Sequence, residues 1–192
     1  MARLDNKIAV VTGATSGIGE ATVDAFCEEG AKVVFCGRNE ELGKIVEARQ
    51  PDGAALFIKA DVLNEADIEN VIQSAVDKWG RIDILFNNAG GPSNIPGTPH
   101  AFNIEDVGEE SFKYAMWYLL GSCMVATKLV SPIMRKQRYG SIINNSSKGA
   151  HQAEVAADPL YSAAKAGLSN YTKAAAMQLG PMGVRVNAVS PG

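Results

Sequence analysis

The feature that most constrains the fold is a repeated change of hydrophobic period along the chain. Six short apolar runs have the length and composition of buried strands, and they lie at 7–12, 32–36, 55–60, 82–86, 141–144 and 184–188. Between the early runs, apolar residues recur every three or four positions, as in an amphipathic helix. Strands that alternate with helices form βαβ units around a parallel sheet. The pattern therefore predicts an α/β fold, with a doubly wound parallel sheet in a Rossmann-like three-layer sandwich.

The helical segments carry caps and apolar faces that can be predicted from residue type and spacing. Asn39 and Asn64 are N-cap residues, and Gly30 and Gly80 can end the first and third helices. We expect three apolar faces to turn toward the sheet, formed by Ile18, Ala21, Ala25 and Phe26, by Leu42, Ile45 and Val46, and by Ile68, Val71, Ile72, Ala75, Val76 and Trp79.

Composition narrows the class of protein. A chain of 192 residues, 46% of them hydrophobic, suits one globular domain, which we expect to span 1–192. The formal net charge of −3 argues against a nucleic-acid partner, because nucleic-acid-binding domains carry a basic surface. Residues 1–7 hold no apolar signal region, and the longest uncharged apolar stretch, Tyr114–Ala126, is shorter than the ~20 residues of a membrane span. We therefore predict a cytoplasmic protein without a membrane partner.

The helix predicted around Tyr114–Ala126 is apolar on every side. A surface helix needs only one apolar stripe, so this helix should be covered on a second side. The pattern leaves open whether that cover lies within one chain or at a subunit interface of a homo-oligomer. The cysteines, Cys27, Cys36 and Cys123, are widely spaced and form no CxxC pair, so no metal site is predicted.

A glycine-rich turn joins the first strand to the first helix. Its glycines, Gly13, Gly17 and Gly19, have the spacing G-x-x-x-G-x-G. A glycine here permits a tight turn, a close approach of the backbone to a ligand, and close packing of helix on strand. The helix N-terminus then favours a negative charge. We therefore predict a pyrophosphate site rather than an ordinary βα turn.

The end of the second predicted strand indicates which dinucleotide is bound. An NAD site usually places a carboxylate here to hold the ribose 2′-hydroxyl. The segment 36–39 instead contains Arg38 and no carboxylate. A guanidinium matches a 2′-phosphate in charge and geometry, so the sequence favours NADP over NAD.

Tyr161 and Lys165 lie four positions apart on a predicted helix, so the phenol and the ammonium can meet on one face. A nearby ammonium favours the phenolate, so we expect the pKa of Tyr161 to fall and allow proton exchange near neutral pH. Ser147 follows the fifth predicted strand, where open α/β sheets bind ligands, with its neighbour Ser146 as the alternative hydroxyl.

Together these motifs resemble the short-chain dehydrogenase/reductase family over the whole chain. The resemblance rests on TGxxxGIG at 12–19, Asp61-Val62, Asn87-Asn88-Ala89-Gly90, Ser147, the Tyr161xxxLys165 pair and the segment 187–192. It implies a pyrophosphate site lined by Gly13, Ser16, Gly17, Ile18 and Gly19. It further implies that Arg38 holds the 2′-phosphate, that Asp61 and Val62 contact the adenine, and that Asn88, Ala89 and Gly90 line the adenosine and ribose.

The resemblance also implies the catalytic roles. Tyr161 resembles the general acid/base, Lys165 would hold the nicotinamide ribose, and Ser147 would donate a hydrogen bond to the substrate oxygen. Pro191 and Gly192 would abut the nicotinamide. Family members continue for several dozen residues past this Pro-Gly pair, so a substrate lid and a last strand would follow the sixth strand.

Two positions depart from the family pattern. Leu119 stands where the family has an Asn that steadies a proton-relaying water, and Leu has no donor or acceptor. The spacing from Ser147 to Tyr161 is one residue longer than is common, which would reshape a wall of the substrate site. His151 lies in this segment, and we expect it to be an exposed loop residue.

These features predict an NADP(H)-preferring oxidoreductase that moves a hydride between a nicotinamide and a carbonyl or secondary alcohol. The small-molecule substrate itself cannot be inferred from the sequence. The alternative, favoured by Leu119, is a nucleotide-binding regulatory or scaffold protein of the same fold.

Overall fold

The computed structural model describes residues 2–91, 99, 101, 103–152 and 158–192. Its centre is a parallel sheet with the order β3-β2-β1-β4-β5-β6. The six strands are β1 (Ile8–Val11), β2 (Lys32–Gly37), β3 (Ala55–Lys59), β4 (Ile84–Asn87), β5 (Gly140–Asn145) and β6 (Val184–Val189). The predicted strands and the doubly wound topology are confirmed.

Helices cover both faces of this sheet. They are α1 (Gly17–Glu28), α2 (Glu40–Ala48), α3 (Glu65–Trp79), α4 (Glu109–Met116), α5 (Ser122–Gln137) and α6 (Pro159–Leu179). A π-helical turn, Trp117–Gly121, joins α4 to α5, and single 3-10 turns lie at Ile104–Asp106, Lys148–Ala150 and Gly180–Met182. The predicted caps are present: Asn39 accepts from the Leu42 N–H, and Asn64 accepts from the Ala66 N–H.

Each face of the sheet has its own core. On one face, buried Val10, Val34 and Ile142 pack with residues of α3, α5 and α6. On the other face, Val11, Phe35 and Phe57 pack with residues of α1 and α2. The two cores and the sheet between them form the predicted three-layer sandwich.

The predicted inward face is correct for α3 but only partly correct for α1 and α2, where Phe26 and Val46 pack inward and the other predicted residues do not. Helix α3 buries Ile68, Val71, Ile72 and Ala75, as its spacing predicts. In α1 the buried residues are Gly19, Val23 and Cys27, and Ile18 is 50% exposed. In α2 they are Gly43 and Val46, whereas Leu42 and Ile45 are 41% and 53% exposed.

In each of α1 and α2, a glycine at a close contact explains why the observed buried face differs from the predicted one. A Cβ on Gly43 would lie 2.2 Å from the Phe57 ring, and one on Gly19 would lie 2.4 Å from the Gly13 carbonyl oxygen. The helix backbone thus approaches the sheet at its glycine. The large apolar residues beside that line of contact are therefore displaced toward solvent.

Within the described residues, the helical run from α4 to α5 is covered on one side only. Leu119, Cys123, Val125 and Ala126 are buried, while Phe112, Trp117 and Met124 are 50%, 38% and 42% exposed. Apolar side chains line a groove of about 530 Å³ on the exposed side, which we call the α4–α5 groove; they are Phe112, Met116, Trp117, Leu120 and Met124. The described part of the chain therefore covers one side of this helical run and leaves the other side exposed.

By length and composition, the run Glu109–Gln137 could also cross a membrane. Its most apolar window has a mean hydropathy of 1.2, and 39% of that window is buried in the fold. A single helix of this kind is weak support for a membrane span, because core helices of folded domains have similar hydropathy.

Candidate active site

A groove of about 320 Å³ crosses the sheet at the carboxyl ends of its strands. Its lining residues come from the ends of β1 to β5 and from the π-helical turn. They are Gly13, Thr15, Ser16, Ile18, Cys36, Gly37, Arg38, Ala60, Asp61, Val62, Asn88, Ala89, Gly90, Gly91, Tyr118 and Asn145. The groove lies over the β1–β4 junction, where the strand order reverses and open α/β sheets bind their ligands.

The glycine-rich turn forms the floor of this groove. Gly13 has a φ of 63°, and a Cβ there would lie 2.6 Å from the Ala89 Cα, so the turn and the end of β4 are in close contact. The Thr12 hydroxyl accepts from the N–H groups of Asn88 and Ala89 at 3.1 and 3.0 Å. These contacts hold the turn and the β4 end as one unit.

The first turn of α1 has the features of an anion site. Gly17 has a φ of 60° and no atom within 4 Å of the position a Cβ would take. Ser16, the N-cap residue, makes no side-chain cap, so its hydroxyl does not compete for the first amides of the helix. Open backbone N–H groups at a helix N-terminus suit a pyrophosphate, so the residues present fit that part of a dinucleotide.

Arg38 and the pair Asp61 and Val62 line the end of the groove at β2 and β3. Arg38 is exposed and makes no ion pair with any described residue, so its guanidinium is available to a ligand. Tyr118 reaches the same groove from the π-helical turn. Burial raises the pKa of its hydroxyl, and the charge of Arg38 acts in the opposite direction.

Lys165 lies buried at the β5 end of the site. The side chain is 1% exposed, and its Nζ donates to the Asn145 carbonyl oxygen at 2.6 Å. Loss of hydration on burial lowers the pKa of this ammonium. Its Nζ lies 5.6 Å from the centre of the Tyr161 ring, so the phenol and the cation meet as their spacing predicts.

The two candidate serines differ in their surroundings. The Ser146 hydroxyl donates to the Lys165 carbonyl oxygen at 3.1 Å and lies 2.7 Å from the Ser169 hydroxyl. Ser146 therefore serves to hold α6 against β5. The Ser147 hydroxyl accepts from the Gly149 N–H at 3.1 Å and keeps its own proton for another acceptor.

Leu119 and Lys165 both approach Gly90 at the end of β4. A Cβ on Gly90 would be 3.2 Å from the Lys165 Nζ and 3.3 Å from the Leu119 Cδ2. Leu119 is fully buried and packs with Ala115, Leu160 and Ala164. The ammonium thus has an apolar neighbour here, which strengthens its loss of hydration.

The segment after β6 reaches the same edge of the sheet. The Pro191 carbonyl oxygen accepts from the Lys148 N–H at 2.9 Å, next to Ser147, and both Pro191 and Gly192 are exposed. His151 is exposed, as expected, and its Nε2 lies 3.4 Å from the Ser190 hydroxyl. Residues 153–157 of the lengthened segment between Ser147 and Tyr161 lie outside the described residues.

Several groove residues were missed by reading the sequence, namely Thr15, Cys36, Gly37, Ala60, Gly91, Tyr118 and Asn145. Most of them adjoin predicted motif residues, so their position after a strand was an available signal. Tyr118 lies on a helix, where no motif marks it. Among the described residues, no three His, Cys, Asp or Glu side chains group to form a metal site.

Comparisons with known proteins agree with this geometry. The model of the short chain dehydrogenase family matches residues 7–192. Momilactone A synthase of Oryza sativa subsp. japonica is 35% identical over 189 residues, covering 98% of this chain and 67% of that protein. Borneol dehydrogenase, mitochondrial, of Lavandula x intermedia is 37% identical over 190 residues, covering 98% and 70%. L-fucose dehydrogenase of Bos taurus is 35% identical over 192 residues, covering 99% and 67%.

Proposed function

Because the chain belongs to the short-chain dehydrogenase family of oxidoreductases, we propose that it is an NADP(H)-preferring enzyme acting on a carbonyl or secondary alcohol. The observation that carries the proposal is the buried Lys165 ammonium beside Tyr161, at one end of a groove that passes the open N-terminus of α1. The relatives described above have enzyme names, so the regulatory alternative is not favoured.

The nicotinamide, held at the Lys165 end of the groove, would supply the hydride chemistry at the substrate carbon. In the reduction, Tyr161 donates its hydroxyl proton to the substrate oxygen, and in the oxidation it removes the proton from the alcohol. The Lys165 cation stabilises the phenolate that Tyr161 becomes after donation. The Ser147 hydroxyl donates a hydrogen bond to the same substrate oxygen and so orients the carbonyl.

The cofactor-binding residues in this proposal follow the groove from end to end. Arg38 binds the 2′-phosphate, and Asp61 and Val62 contact the adenine. The glycine-rich turn with Gly13 and Ser16, together with Gly17, Ile18 and Gly19 of the first turn of α1, binds the pyrophosphate. Asn88, Ala89 and Gly90 line the ribose, and Tyr161, Lys165, Pro191 and Gly192 surround the nicotinamide end.

Calorimetric titration with NADPH and NADH tests the cofactor preference. Wild type should bind NADPH more tightly, and Arg38→Ala should lose at least tenfold in NADPH affinity with little change for NADH, because the lost contact is made to the 2′-phosphate. Arg185→Ala is the matched control, since Arg185 is also exposed but does not line the groove. Tighter binding of NADH by wild type would refute the preference.

The proposal includes a homo-oligomeric state and a cytoplasmic location. The α4–α5 groove exposes Phe112, Trp117 and Met124, and a second copy of the chain would bury them. Light scattering on the wild type and on Met124→Lys tests this, because a charge in the groove should release monomers. A wild-type monomer at micromolar concentration would contradict the oligomer.

A further inference from the structure

Asn145, the last residue of β5, has one polar atom without a partner. The residue is 7% exposed and lines the cofactor groove. Its Nδ2 donates to the Asn88 Oδ1 at 2.9 Å. Its Oδ1 is buried and receives no hydrogen bond within the described part of the chain.

The neighbouring hydrogen bonds fix which way this amide points. The Asn88 Nδ2 donates to the carbonyl oxygens of Thr12 and Gly13 at 3.1 and 2.9 Å. The Asn88 Oδ1 must therefore face Asn145, and only the Asn145 Nδ2 can donate to it. The Asn145 Oδ1 is thus left as an acceptor by the network itself.

The position of the unpaired Asn145 Oδ1 indicates which part of a ligand could donate a hydrogen bond to it. A buried acceptor without a donor costs about 1–3 kcal/mol. The backbone oxygen of the same residue accepts from the Lys165 Nζ, so Asn145 lies at the hydride-transfer end of the groove. Arg38 is three strand spacings away, at the end of β2, which is about 14 Å.

The chemistry of the ligand narrows the contact further. A pyrophosphate has acceptors only, so it cannot satisfy the Asn145 Oδ1. The nicotinamide half of the cofactor carries donors, namely the hydroxyls of its ribose and the N–H groups of its carboxamide.

We propose that Asn145 is a cofactor-positioning residue whose Oδ1 accepts a hydrogen bond from the nicotinamide half of the dinucleotide. This inference rests on the proposed function, because it needs a nicotinamide at the Lys165 end. The bond fixes the reactive half of the cofactor against β5, next to Tyr161 and Lys165. It also removes the unpaired acceptor when the cofactor binds.

The adjacent Asn144 provides a matched control. It is fully buried on the same strand, and both ends of its amide are paired. Its Nδ2 donates to the Thr172 hydroxyl at 2.9 Å, and its Oδ1 accepts from the Asn87 Nδ2 at 2.8 Å. Asn144→Ala should therefore cost more stability than Asn145→Ala and leave cofactor affinity within twofold of wild type.

Calorimetry with three probes tests the inference: NADPH, 2′-phospho-ADP-ribose and 2′,5′-ADP. Asn145→Ala should weaken NADPH about threefold to tenfold, which is the loss of one hydrogen bond, and leave 2′,5′-ADP unchanged. A loss shared by 2′-phospho-ADP-ribose assigns the donor to the ribose, and a loss confined to NADPH assigns it to the carboxamide. Thermal melts of the free variants report the stability cost separately.

Four outcomes would overturn the inference or its premise. Unchanged NADPH affinity in Asn145→Ala overturns it, as does an equal loss for 2′,5′-ADP, which would indicate a structural role alone. If wild type prefers NADH, the proposed NADP preference fails, and Asn145 is then judged with NADH and AMP. If wild type binds neither dinucleotide, the proposed function and the inference fail together.

Discussion

Replacing Gly17 by Ala separates the stability of the glycine turn from its role in binding. Gly17 has a φ of 60°, and no atom lies within 4 Å of the new Cβ position, so the methyl group meets no protein atom. The left-handed conformation costs an Ala about 1–2 kcal/mol. The reduced freedom of the unfolded chain returns about 0.4–1 kcal/mol. The net loss should be about 1 kcal/mol, or roughly 2–4 °C in Tm.

Gly80→Ala is the control for this experiment. Gly80 ends α3 with a φ of 75° and likewise has no atom of the described residues within 4 Å of a new Cβ. Neither neighbour of Gly80 in the chain lines the groove, whereas Gly17 lies between Ser16 and Ile18, which do. Both variants should therefore melt at about the same temperature. Only Gly17→Ala should weaken NADPH, by at least tenfold, because its methyl group occupies the space through which the pyrophosphate reaches the first turn of α1.

The assay is a thermal melt of each variant without ligand, followed by calorimetric titration with NADPH. Equal NADPH affinity in Gly17→Ala and Gly80→Ala would refute the reasoning, since it would mean that the open space at Gly17 does not receive the cofactor. A much larger stability loss in Gly17→Ala would refute the magnitude, since the two backbone conformations are alike.

Two further predictions concern buried charge. Asp83→Asn should lower the unfolding free energy by about 2 kcal/mol in urea denaturation at pH 7, because the fully buried carboxylate accepts from the Ile8 N–H and pairs with Arg81. The control, Glu40→Gln, lies in an exposed pair with Lys59 and should change the unfolding free energy little. Similar losses in the two variants would contradict this prediction. Burial lowers the pKa of Lys165 in the folded protein below its ordinary 10.5. Between the folded pKa and the unfolded pKa, the unfolded state binds more protons, so the unfolding free energy rises with pH. The unfolding free energy of wild type relative to Lys165→Met should therefore increase from pH 7 to pH 10, and a constant difference would contradict the assignment.

The elements that could be predicted from sequence are those whose pattern is local. Helix α3 has six apolar residues at helical spacing and a Gly at its end, and the structure confirms its face and its cap. The predicted faces of α1 and α2 were only partly correct because a glycine sets the close contact of each helix, and a pattern of apolar side chains does not include a residue that has no side chain. The exposed Leu42 and Ile45 are the consequence.

In the candidate active site, too, the residues of local motifs could be predicted and those that depend on tertiary contacts could not. Gly13, Gly17, Arg38, Tyr161 and Lys165 belong to short motifs. Gly13 and Arg38 line the groove, Gly17 lies between two of its lining residues, and Tyr161 and Lys165 lie at its β5 end. The roles of Tyr118 and Asn145 depend on tertiary structure that no local motif encodes. Tyr118 reaches the groove through a π-helical turn, and the free acceptor of Asn145 is created by a hydrogen bond to another strand.

The most direct test of the central claim compares wild type with Tyr161→Phe in two assays, NADPH binding by calorimetry and NADPH oxidation across a panel of ketones and aldehydes. Phe retains the aromatic ring near the Lys165 ammonium and removes only the hydroxyl group, which is the proton donor. We predict that both proteins bind NADPH within about twofold of each other and that only wild type oxidises it with a carbonyl substrate. Carbonyl reduction by Tyr161→Phe at the wild-type rate would contradict the account.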